Sequence, residues 1–151
     1  MTSWVDQAVS DVLQKREHQR MENSLIQKSS IAAPVLFNML AKQLAGDIDA
    51  FNKRTGKSIL CSVKNDSVVI KHETFPTFTL ELDRRDSDIV ARTNKRQNAI
   101  ALHEADSVEL ISLIAGTGPQ EYYYLYQGAK LSRVEEMAGY LMYPLIQFLN
   151  A

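Results

Sequence analysis

Near residue 58 the spacing of apolar residues changes from three-and-four to two, and this change divides the chain into a helical part and a sheet part. Upstream, Leu36, Leu40, Leu44, Ile48 and Phe51 recur at helical spacing and mark one apolar face. Downstream, Ile59, Cys61 and Val63 alternate with Leu60, Ser62 and Lys64, which is the period of a strand. A chain that carries both periods in separate blocks is expected to fold as α+β.

The helical block reads as two N-terminal helices. Ser3 followed by Asp6 is a helix-start pattern, and Val5, Val9 and Val12 then recur with Trp4, Ala8 and Leu13 beside them. The next stretch, QKREHQRMENS, is polar nearly all round, as in a solvated helical extension or a frayed linker. Proline is tolerated in the first turn of a helix, so Pro34 predicts that a second helix begins near residues 31–34. Lys53 and Arg54 suit the negative end of that helix, and Gly56 suits its stop.

The sheet block contains seven short runs with short connections. Asn65-Asp66 turns the first run into SVVIKH; Phe78, Leu80 and Leu82 then alternate with Thr77, Thr79 and Glu81. RRDS leads into DIVART, NAIALH and VELISLI are separated by EADS, and AGTGP leads into the tyrosine run YYYLY. The expected architecture is a curved antiparallel meander of about six or seven strands. A C-terminal helix follows. Ser132 with Glu135 forms a capping-box pattern, Met137, Leu141, Leu145 and Phe148 mark its stripe, and Pro144 predicts a kink or break near Tyr143.

With 151 residues and no internal repeat, one α+β domain over 1–151 is expected, with residues 1–30 as a semi-detached N-terminal helix. Apolar content of 45% excludes wholesale disorder, and a net charge of −1 argues against nucleic-acid binding. The single cysteine, Cys61, excludes an intrachain disulfide. The N-terminal stretch lacks an apolar signal core, and no apolar run approaches the roughly 18 residues of a membrane span. A cytoplasmic protein with no membrane association is the expectation.

No catalytic set, cofactor motif or metal-ligand set emerges from the residues. RTGKS has the end of a phosphate-binding loop, but Phe51 stands where its first glycine is required. In GTGPQE, Glu121 replaces the third glycine of a dinucleotide fingerprint. His72-Glu73 and His103-Glu104 lie near strand ends, where neighbours point to opposite faces and cannot ligate together. Cys61 faces Ile70 across the hairpin and reads as a core thiol. The basic residues from Arg84 to Arg96 are interrupted by Asp86 and Asp88 and share no single strand face.

The tyrosines remain. Tyr122, Tyr124 and Tyr126 share one strand face, while Tyr123 and Leu125 occupy the other, so the strand is apolar on both sides. Leu60, Val69, Val90, Ile111 and Leu113 are assigned to the sheet face away from the helices. So apolar a face implies cover by the first helix, a second copy or a partner. The leading expectation is a non-catalytic interaction module that self-associates as a homo-oligomer and presents a sheet face or its N-terminal helix to a protein partner. Tyr122, Tyr124, Tyr126, His72 and Glu81 are the candidate surface residues. A small-molecule protein or enzyme using His72, Glu81 and Tyr124 in a cup between sheet and helix is the second expectation, and nucleic-acid binding the third.

Overall fold

The computed structural model describes residues 3–74, 76–96, 105–118 and 121–149. In chain order the elements are a helix α1 (Trp4–Thr55), strands β1 (Leu60–Val63), β2 (Ser67–His72), β3 (Thr77–Arg85), β4 (Asp88–Arg96), β5 (Ala105–Ala115), β6 (Tyr122–Tyr126) and β7 (Ala129–Leu131), and a helix α2 (Val134–Leu149). The strands form one seven-stranded sheet in sequence order, every neighbouring pair antiparallel. The α+β meander therefore stands.

The two expected N-terminal helices are a single helix of 52 residues. Ser3 caps it, its hydroxyl accepting from Asp6 N, and Gly56 closes it at φ 71° with its N–H donating to Asn52 O. Pro34 lies inside the helix and is exposed, where its missing N–H leaves one carbonyl without its helical donor. The chain is held in helical direction on both sides of it. On one side, Lys28 Nζ donates to Gly118 O at 3.0 Å and the Ser30 hydroxyl donates to the Asp86 carboxylate. On the other, Leu36, Phe37 and Leu40 are buried in the core. Tertiary anchoring outweighs the local signal. Pro144 likewise lies within an unbroken α2, which starts at Val134 rather than directly after Ser132.

One face of the sheet carries the core. Val68, Ile70, Phe78, Leu80, Leu82, Ile89, Ile111 and Leu113 are buried together with Phe37, Leu40, Leu44, Ile48, Met137, Leu141 and Leu145 from the helices. Each such aliphatic or aromatic side chain stabilises the fold by roughly 1.5–3 kcal/mol when fully buried. Ile111 and Leu113, assigned above to the outer face, are 0% and 1% exposed and belong to this core. The register decides it: Ile111 pairs with the buried Ile89, and Leu113 with the buried Tyr124. Ala105 and Ser107, read as part of a connection, lie in β5. The expected strand NAIALH falls outside the described residues. Strand β7 went unread because Gln127 and Gly128, at φ 51° and 79°, make a two-residue hairpin turn without the Asn-Gly or Asp-Gly signature.

Two neighbouring hairpin turns, Asn65-Asp66 and Asp86-Ser87, are tied together. Arg84 donates through Nε and Nη2 to Asp66 Oδ1 at 3.1 and 2.8 Å and through Nη1 to Asp86 O at 2.9 Å. Arg84, the first residue of the basic segment, thus joins two turns.

Candidate functional site

Five residues were singled out from the sequence, and the fold disperses them. Tyr124 is 3% exposed and its hydroxyl donates to Leu36 O of α1 at 2.9 Å, so it is a core strut between β6 and the long helix. Burial, and then the nearby Glu135 carboxylate, push its phenol up to about 12. Tyr126 is also buried, with Tyr140 of α2 edge-on to its ring at 6.3 Å between centroids. Burial raises its phenol further, assisted by its hydrogen bond to Glu109 and that carboxylate's charge. Tyr122 is half-buried, and the Lys28 ammonium lies 5.3 Å from its ring centroid. The three rings do share one face, and it is the helix-covered one.

His72 is buried at the end of β2. Its Nδ1 lies 2.8 Å from Pro76 O and its ring stacks on Phe78 at 5.7 Å. It borders a cleft of about 450 Å³ with Gly56, Lys57, Ser58, Leu60, Glu73, Thr74, Pro76 and Leu149. Glu81 is on the opposite face, paired with Arg92 across β3 and β4, beside Thr79 and Val108. His72, Glu81 and Tyr124 therefore do not converge on one cavity.

Cys61 pairs with Ile70 as the hairpin register required, packs at the edge of the core, and has its thiol raised by burial. Asn65 and Asp66 form the two-residue turn, with Lys64 N donating to Ser67 O at 2.8 Å. Among the described residues no group of three His, Cys, Asp or Glu side chains is placed to hold a metal ion. None of the described helices is long and apolar enough to cross a membrane.

Among the described residues, exposed apolar side chains gather on the outer sheet face and on the N-terminal part of α1, besides Tyr140 and Tyr143 of α2 and Ile31, Val35 and Met39 of α1. The outer sheet face carries Val108 and Leu110, 68% and 57% exposed, with the half-buried Val90 opposite Leu110 and Leu125 nearby on β6. In the N-terminal part of α1, every residue from 3 to 24 is exposed. Trp4 is 81% exposed, and Val5, Val9, Val12 and Leu13 lie between 47% and 57%. The sequence displayed this stripe at helical spacing; it did not display that the stripe would be left exposed among the described residues. At about 1.5 Å per residue the stretch to Ser24 is about 30 Å long.

The arm departs from an anchored base, and the anchors carry no sequence signal. Strand β5 extends beyond β4, whose last tie is Leu113 N donating to the neighbouring Ser87 O at 2.7 Å. The next inward-pointing amide, Ala115 N, donates instead to Ser29 Oγ on α1 at 2.8 Å. Lys28, the residue before Ser29, donates to the carbonyl of Gly118 beyond the end of β5. Comparison with protein-family models, with curated proteins and with solved structures returns no match for this chain.

Proposed function

We propose that the protein is a non-catalytic interaction module that self-associates, with its N-terminal helical arm as the presented element. The observation that carries this reading is the exposure of residues 3–24 in a helix whose second half forms part of the core. The anchored half of α1 supplies the costly nucleus, but extending a helix into water gains little by itself, because helical stability in proteins comes mainly from packing an apolar face. Here the apolar face exists and lacks a packing partner among the described residues. Exposed contiguous apolar surface of this kind marks association sites.

The outer sheet face adds to the reading, since Val108 and Leu110 leave it more apolar than a solvated sheet requires. Dispersal of His72, Glu81 and Tyr124 gives the small-molecule alternative no assembled constellation to work with. Sedimentation equilibrium on the full chain across a wide concentration range tests the proposal. A mass rising toward a dimer or higher assembly supports it. A monomer of 17.1 kDa up to the solubility limit sinks it.

A further inference from the structure

We infer that the partner of the arm is the same arm of a second copy, laid antiparallel. This rests on the self-association proposed above and adds the surface and the orientation. Val5, Val9 and Val12 form the centre of the stripe, with Ala8 and Leu13 on its flanks. The next position on the same line is Arg16, and after it Gln19 and Asn23, so the apolar seam stops there. The charges are divided along the arm. Asp6 and Asp11 make residues 4–12 acidic, whereas Lys15, Arg16 and Arg20 outweigh Glu17 across residues 13–21.

That division is self-complementary in one orientation only. A parallel pair in register sets Arg16 against Arg16 in the seam and acidic end against acidic end. Two helices pack with axes about 8–10 Å apart, within a Debye length, so like charges there oppose association. An antiparallel pair centred between Ser10 and Asp11 sets Val9 against Val12 twice. It brings Arg16 beside Val5, where its stem covers the valine and its guanidinium reaches toward Asp6 of the other copy. The anchored bases at Lys28 and Ser29 then lie at opposite ends of the pair, so the two sheets do not compete for space.

The contact is a short one, at or below the about 1,200 Å² of small stable interfaces, so the pair forms in a concentration-dependent way. Two measurements on the full chain test it. First, Val9→Gln with Val12→Gln removes the seam while keeping good helix formers in place. Dimerisation is expected to weaken at least tenfold, with helical circular dichroism at high dilution unchanged. Leu110→Lys on the outer sheet face is expected to leave dimerisation as it was. Second, a spin label on Gln27→Cys in a Cys61→Ser background reports orientation by the distance between labels. The antiparallel pair places the two labels about 50 Å apart at 1.5 Å per residue, whereas a parallel pair places them within about 25 Å. A dimer that survives the valine changes, or that Leu110→Lys dissociates, overturns the inference and leaves self-association standing. A short label distance overturns the antiparallel orientation. A wild-type chain that never dimerises overturns both the inference and the reading beneath it.

Discussion

Ser29 of α1 and Ala115 of β5 are joined by a hydrogen bond in which the strand amide donates to the serine hydroxyl at 2.8 Å. The same hydroxyl donates back to Leu25 O at 2.8 Å, so both of its roles are filled at a site 7% exposed. Ser29→Ala would leave the Ala115 N–H buried without an acceptor, at a cost of about 1–3 kcal/mol. Urea unfolding is expected to show that loss. Amide exchange is expected to speed up at Ala115 and at the base of the arm before it does in the core strands.

Tyr124 is the second tie between helix and sheet, and it titrates. Its phenol is raised from the ordinary 10 to about 12. Below pH 10 it is protonated in the folded and unfolded states alike, and its contribution is complete. As pH rises through about 12 that contribution is lost, because the unfolded chain releases the proton more readily. Tyr124→Phe is expected to cost about 0.5–1.5 kcal/mol at pH 8 through the lost bond to Leu36 O. The variant is also expected to lose less stability than wild type between pH 10 and 12, measured by denaturant midpoints.

Pro34 can be relieved. Its side chain is exposed inside an otherwise continuous helix, so Pro34→Ala restores an N–H to the Ser30 carbonyl without removing core packing. A helix-interior proline costs about 3 kcal/mol relative to alanine, offset in part by the freedom alanine gives the unfolded chain. A net rise in thermal midpoint is expected. A fall would show that the proline fixes a bend on which the packing of Ala33 and Leu36 depends.

The core and the outer face should respond very differently. Leu40 is fully buried among helix and sheet side chains, and Leu40→Ala is expected to cost about 2–5 kcal/mol. Leu110 is 57% exposed, and Leu110→Ala is expected to stay within about 0.5 kcal/mol at concentrations where the chain is monomeric. Equilibrium unfolding of both variants checks the assignment of the two sheet faces.

Much of the architecture was legible because period and burial agree. Phe78, Leu80 and Leu82 alternate with polar residues, and all three are buried. Ser3 and Gly56 announced the two ends of the long helix by local chemistry alone. Pro34 misled because a local penalty was overridden by anchors distant in sequence, the Ser30–Asp86 and Lys28–Gly118 bonds. Ile111 and Leu113 were assigned to the wrong face because alternation sets which residues share a face, while the partner strand's register sets which face is inside. The arm's stripe was visible as a pattern, but exposure is a property of the assembled fold. No spacing in the sequence states that Val9 is left 52% exposed.

Leu13, on the flank of the valine stripe and 57% exposed in the single chain, meets Ala8 of the other copy in the antiparallel pair, so an indole placed there reports directly on pairing. The most direct measurement is the emission and acrylamide quenching of Leu13→Trp in a Trp4→Phe background along a dilution series, with sedimentation run on the same samples. A blue-shifted, protected indole at high concentration that becomes solvent-like as the mass falls to the monomer is the expected result. An indole at this position equally quenched in dimer and monomer would contradict the assignment of the arm as the surface through which the protein associates.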